Sequence, residues 1–95
     1  MEKLAARLQL KDFRLIHAID RSGQLALAAE QLAITQPAAS RMLATIEKAV
    51  GTRVFDRHPK GMTPTAVGQV LVRNAATLLQ ELDRAVHEVE EIRSG

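Results

Sequence analysis

Between Thr35 and Val50 the chain reads TQPAASRMLATIEKAV, and Gln36, Ser40, Arg41 and Thr45 fall within this stretch at spacings of four, one and four. A carboxamide, two hydroxyls and a guanidinium form a set that donates and accepts hydrogen bonds and can hold an anion. They are not a set for breaking bonds. The chain has no cysteine, and its three histidines, His17, His58 and His87, lie in different elements without the spacing of a metal-binding pair. There is no glycine-rich phosphate loop and no nucleophile motif. Catalysis, disulfides and thiolate metal sites therefore drop out, and neither a cofactor nor a metal is expected.

Those side chains need a helix to line them up, and its signals are present. Thr35 is an N-cap whose hydroxyl can accept a bond from an unpaired backbone N–H. Pro37 falls in the first turn, where a missing N–H costs nothing. Ala39, Leu43, Ile46 and Val50 then step by four, three and four along one face, so a helix over 36–50 turns its apolar side inward. Gly51 ends it. Gln36-Pro37, Ser40-Arg41 and Ala44-Thr45 are thereby stacked on the opposite, outward face.

The neighbouring elements follow from similar signals. LALAAEQLAI predicts a short helix at about 25–33, with a weak start and an alanine pair, Ala28-Ala29, that would admit another helix closely. Its connection to the next helix is so short that the two form a helix-turn-helix. Upstream, Leu10, Phe13, Ile16 and Ile19 recur at spacing three with Leu15 and Ala18 beside them, an amphipathic helix closed by Ser22-Gly23. The residues before Leu10 also look helical. Downstream, RVFDRHPKGMTPT predicts a small hairpin, or wing, from a β-like run at Val54-Phe55 and a basic turn at Pro59-Lys60-Gly61.

The last helix is expected to start at a Thr63-Pro64 cap and to run from 64 to 93. Its Leu71, Ala75, Leu78, Leu82, Ala85, Val89 and Ile92 recur at alternating spacings of four and three, a heptad-like dimerisation seam. At ~1.5 Å per residue the rod is about 45 Å long. A core this small cannot cover it, so its far half needs a partner, most economically a second copy. The alternative is a helix kinked at Gly68 or folded back on its own domain.

With 95 residues, 46% of them apolar, the chain suffices for one core, and Phe13 and Phe55 as the only aromatics make that core aliphatic. No apolar run approaches ~18 residues, and MEKLAARLQL is too charged for a signal peptide. A soluble, cytoplasmic chain without a membrane partner is expected. The net charge of +2 is unevenly spread. Residues 35–63 carry Arg41, Lys48, Arg53, Arg57 and Lys60 against Glu47 and Asp56, a balance of +3, whereas residues 64–95 stand at −2. Positive charge gathers where a polyanion could be held.

A slim, polar helix front with one long cation fits entry into the major groove of B-DNA. Gln36 can pair with adenine, Ser40 with a phosphate or base edge, and Arg41 with guanine or phosphate. The positive helix N-terminus adds an attraction for phosphate. From the wing, Arg57 and Lys60 would reach the flanking backbone or minor groove, with His58 a further candidate. Lys48 is as readily a solvated surface charge.

At AAEQLAITQPAASRMLATIEKAVGTRVFDR the chain resembles the helix-turn-helix of LysR-type transcriptional regulators of bacteria. The resemblance extends from about Leu10 to the end. It rests on Ala28-Ala29, Thr35-Gln36-Pro37-Ala38, Ser40-Arg41, Ile46-Glu47, Gly51, Phe55 with Arg57, and Thr63 with Gly68. It implies a mainly α fold: a winged helix-turn-helix at residues 1–63, then a long dimerising linker helix at 64–95. It also implies a dimer on double-stranded DNA, bound to an interrupted palindrome with A/T-rich half-sites. Bases and phosphates would be touched from Gln36, Pro37, Ser40 and Arg41, and backbone held by Thr35 and the wing near Arg57. The DNA-contacting set is thus expected to be Thr35, Gln36, Pro37, Ala38, Ser40, Arg41, Thr45, Arg57, His58 and Lys60. A separate C-terminal domain of periplasmic-binding-protein type would take a small-molecule coinducer, with a tetramer as one full-length state. The chain is expected to be a piece ending just after the linker helix.

Two departures stand out. Gln24 and Ala26 replace a common Ser and Thr, which weakens the start of the second helix and removes a candidate phosphate contact. Lys60 stands where Arg is frequent, keeping charge but losing bidentate geometry. Of the rival readings, a dimerising adaptor would use the seam but leave the polar ridge and wing charges idle. A single-strand binder lacks the aromatic platforms it would need.

Overall fold

The computed structural model describes residues 7–95. The elements are α1 (Leu10–Ser22), α2 (Leu25–Gln31), α3 (Gln36–Val50), β1 (Phe55–His58), β2 (Gly61–Pro64) and α4 (Ala66–Ser94). They form a winged helix-turn-helix from which one long helix extends. The helical reading of the residues before Leu10 falls mostly on 1–6, outside the described residues; Arg7 is helical, and Leu8 and Gln9 are not.

Helix α1 starts where the Gln9 N–H donates to Asp12 Oδ2 at 2.8 Å, satisfying an otherwise orphaned donor. It is the central strut of the core, burying Leu15, Ile16, Ala18 and Ile19. Leu10, expected on the same face, is instead 40% exposed. A strict spacing of three lags the 3.6-residue turn, so Leu10 comes to lie half a turn around the helix from Ile19. Helix α2 is short, as its poor start signal suggests, and no side chain of its N-cap residue Gln24 caps it. The turn to α3 holds Ala33 at φ 57°, and the Ile34 N–H donates to the Ala29 carbonyl at 3.0 Å.

The core gathers Leu15, Ile16, Ile19, Leu43, Ile46, Val54 and Phe55, all essentially without solvent contact. Each such side chain contributes about 1.5–3 kcal/mol on burial. Ala28, Ala29 and Ala39 are buried with them, and their small size lets α2 and α3 pack tightly. The hairpin pairs Phe55 with Pro64 and His58 with Gly61, leaving Pro59-Lys60 at its tip.

Helix α4 begins later than its sequence suggests. Thr65, not Thr63, is the N-cap: its Oγ1 accepts the Gly68 N–H at 3.0 Å and its hydroxyl donates to the Arg53 carbonyl at 2.8 Å. Thr63 and Pro64 are already committed to the hairpin opposite Asp56 and Phe55, in an extended backbone no helix can share. Gly68 does not break the helix, which runs unbroken from Ala66 to Ser94. A Cβ there would run into the Val54 carbonyl, so glycine lets α4 lie directly against the start of the wing. Two residues expected on the dimerisation seam face their own domain: Ala75 is wholly buried, and Leu71 is half-buried against the core. Beyond Leu82 every residue of α4 is exposed, and the molecule measures 50 × 32 × 21 Å. Among the described residues no helix is long and apolar enough to cross a membrane.

Candidate nucleic-acid interface

The cap and stripe of α3 place its outward ridge. Thr35 Oγ1 accepts the Ala38 N–H at 3.2 Å, which starts the helix and leaves the threonine hydroxyl proton for an external acceptor. Ala39, Leu43 and Ile46 are sunk in the core. Gln36, Pro37, Arg41, Ala44 and Thr45 are consequently exposed, with Ser40 and Ala38 half-buried beside them. Thr45 Oγ1 donates to the Arg41 carbonyl at 3.0 Å, so its hydroxyl proton is engaged by the helix backbone.

The wing comes up beside the first turn of this helix. Gln24, Leu25, Ala26, Gln36, Arg57, His58, Gly61 and Met62 line one open cleft of about 260 Å³. Gln36 is thus brought together with Arg57 and His58, and with Gln24 and Ala26. Lys60 occupies the hairpin tip, and its N–H donates to His58 Nδ1 at 3.2 Å. With Nδ1 accepting, the neutral ring carries its proton on Nε2 and presents it as a donor.

Glu47 fixes the wing to the helix, a role with no clear sequence signal. Its Oε2 accepts the Val54 N–H at 2.7 Å and the Phe55 N–H at 3.3 Å. On the other strand the Met62 N–H donates to the Gly23 carbonyl at 2.8 Å. In the sequence Glu47 is one of two acids in a cation-rich stretch and half of the Ile46-Glu47 pair, neither of which points to the wing.

Three of the four ion pairs among the described residues lie along α4. Arg84 donates to both oxygens of Glu81 at 2.9 and 2.8 Å. That hydrogen bonding, and then the guanidinium charge, holds the Glu81 carboxyl below its ordinary pKa. Arg93 and His87 likewise face Glu90 and Glu91. Among the described residues, Arg41, Lys48, Arg57 and Lys60 have no carboxylate partner, and Arg53 has only Asp56 at 3.9 Å. Arg41, Lys48, Arg57 and Lys60 thus keep their charge uncompensated around α3 and the wing, as Lys11, Arg14 and Arg21 do on α1 and Arg73 does on α4.

The far half of α4 carries the other residues expected on a dimerisation seam. Leu78, Ala85, Val89 and Ile92 are exposed and Leu82 half-buried; Val86, which the heptad reading leaves out, is 52% exposed next to them.

Comparison with known proteins agrees with this geometry. The family model described as bacterial regulatory helix-turn-helix protein, lysR family, matches residues 10–69. Among curated relatives, the HTH-type transcriptional regulator GbpR of Azospirillum brasilense is 37% identical over 92 residues, covering 97% of this chain and 27% of the relative. The nitrogen assimilation regulatory protein nac of Escherichia coli K12 is 38% identical over 76 residues, covering 77% of this chain and 25% of the relative. The chain thus spans about a quarter of the length of these relatives. Among solved structures, a BenM DNA-binding domain in complex with catB site 1 DNA superposes with a TM-score of 0.85 at 27% identity, covering 93% of this chain and 99% of that one.

Proposed function

The chain belongs to the lysR family of bacterial regulatory helix-turn-helix proteins, and from that premise we propose that it binds double-stranded DNA sequence-specifically as part of a transcriptional regulator. The observation that carries this reading is the exposed ridge of α3 lying beside a wing whose cations have no internal partner.

In this reading α3 enters the major groove. Gln36, Ser40 and Arg41 address base edges, where a good bidentate pair discriminates by about 1–3 kcal/mol. Pro37, Ala38 and Thr45 keep the helix front slim and supply close apolar contact. The Thr35 hydroxyl and the Arg57, His58 and Lys60 side chains hold the flanking backbone, which positions the helix without reading sequence. The exposed outer half of α4 pairs with a second copy, which sets two recognition helices on an interrupted, A/T-rich palindrome. Residues to about 64 and the first half of α4 act as one reading head, and the outer half as the linker. Such a regulator works in the cytoplasm. We place any response to a small-molecule inducer, and any tetramer, in the part of the relatives' length that this chain does not match.

A gel-shift titration with duplexes carrying an A/T-rich dyad tests the proposal. The expected result is dimeric retardation that survives an excess of random duplex and weakens with salt. Association without any duplex binding at low salt would leave only a dimerising adaptor.

A further inference from the structure

The wing accounts for one flank of the α3 ridge; a second basic cleft lies on the other. Arg7, Gln9, Lys11, Asp12, Ala38, Arg41, Met42 and Thr45 line a hollow of about 300 Å³. Three cations face it against one carboxylate, Asp12, whose Oδ2 accepts the Gln9 N–H, so the lining keeps a net positive charge. The two clefts lie on opposite sides of α3. At about 100° per residue, Gln36 in the wing-side cleft and Thr45 in this one are half a turn apart around the helix. The ridge of Pro37, Arg41 and Ala44 runs between them. A major groove, about 12 Å wide, has a phosphate strand along each edge. A helix seated in it needs a cationic surface on both flanks, and this molecule has one on each.

We infer that Arg7 and Lys11 hold a backbone phosphate of the strand opposite to the one held by the wing. This rests on the DNA-binding reading and adds a contact to it. Arg7 lies ahead of the residues the family model covers, which begin at residue 10, whereas Lys11 and Arg41 lie within them. Arg41 borders the same cleft and can swing between a base edge and this phosphate. The cleft is a backbone site and reads no sequence.

The test is fluorescence anisotropy of the 95-residue chain on a labelled mixed-sequence duplex of roughly 20 base pairs, about two helical turns, across a salt series. Four variants are compared after their melting curves are matched to the parent: Arg7→Gln with Lys11→Gln, Arg7→Lys, Arg57→Gln, and Arg73→Gln on the exposed side of α4 as a charge control. The paired variant should flatten the slope of log K against log salt by about 0.9, one phosphate contact. Arg57→Gln should flatten it comparably, and combining the two changes should add. Arg7→Lys and Arg73→Gln should leave the slope alone. An unchanged slope in the paired variant, with Arg57→Gln still effective, overturns this inference and spares the DNA reading. Equal flattening by Arg73→Gln also overturns it, because net charge rather than the cleft would then be responsible. If the parent itself shows no salt-dependent duplex binding, the reading beneath it fails instead.

Discussion

In the proposed interface a single cation, Arg41, distinguishes base reading from backbone holding. Arg41 is exposed, unpaired among the described residues, and set midway along the ridge. Arg41→Ala should cost roughly 1–3 kcal/mol on a cognate duplex and far less on random DNA, as parallel titrations on the two would show; an equal loss on both would make it a phosphate contact. Glu47 makes the opposite kind of contribution. It touches no ligand in this account but ties two wing N–H groups to α3. Glu47→Ala leaves those partly buried donors unpaired and should lower stability by about 1–3 kcal/mol, read by chemical denaturation, while weakening duplex binding through a loosened wing. Full stability in that variant would remove its structural role. The two residues also mark what a sequence discloses. Thr35, Pro37 and the apolar stripe determine locally which way Arg41 points, so the ridge was legible. Glu47 acts on groups seven and eight residues away, across a turn, and no local pattern encodes that.

The elements differ in how much of their definition is local. Helix α3 carries its own cap, proline, stripe and closing glycine, and its bounds could be read directly. Helix α4 offers two threonines that could each start it, and only the hairpin register decides between them by pulling Thr63 into a strand. The spacing of Leu71 and Ala75 is the same whether they face a partner or their own domain; packing against α1 settles it. The α2–α3 turn is the least comfortable element. Ala33 sits at φ 57°, a left-handed conformation that costs a side-chain-bearing residue about 1–2 kcal/mol. Ala33→Gly relieves that strain but frees the unfolded chain, so the net gain should be about 0.4–1 kcal/mol. A raised denaturation midpoint with unchanged duplex affinity is the expected result, and a lowered midpoint would show that the alanine conformation is not strained.

At the level of the whole molecule, a compact winged helix-turn-helix is joined to a rod that it cannot cover. Leu78, Val86, Val89 and Ile92 remain 43%, 52%, 54% and 81% exposed, which a second copy would bury most economically. Val89→Asp should shift the chain to monomer in sedimentation velocity and weaken binding to a two-half-site duplex far more than to a single half-site. A stable dimer in that variant would place the contact elsewhere. All of this depends on the α3 ridge reading bases, and selection of duplexes from a fully randomised pool tests that most directly. The account predicts enrichment of an inverted, spaced repeat, with one position in each half-site relaxing when the selection is repeated with Arg41→Ala. A pool that stays random after repeated rounds, while duplex DNA is still retained, would contradict it.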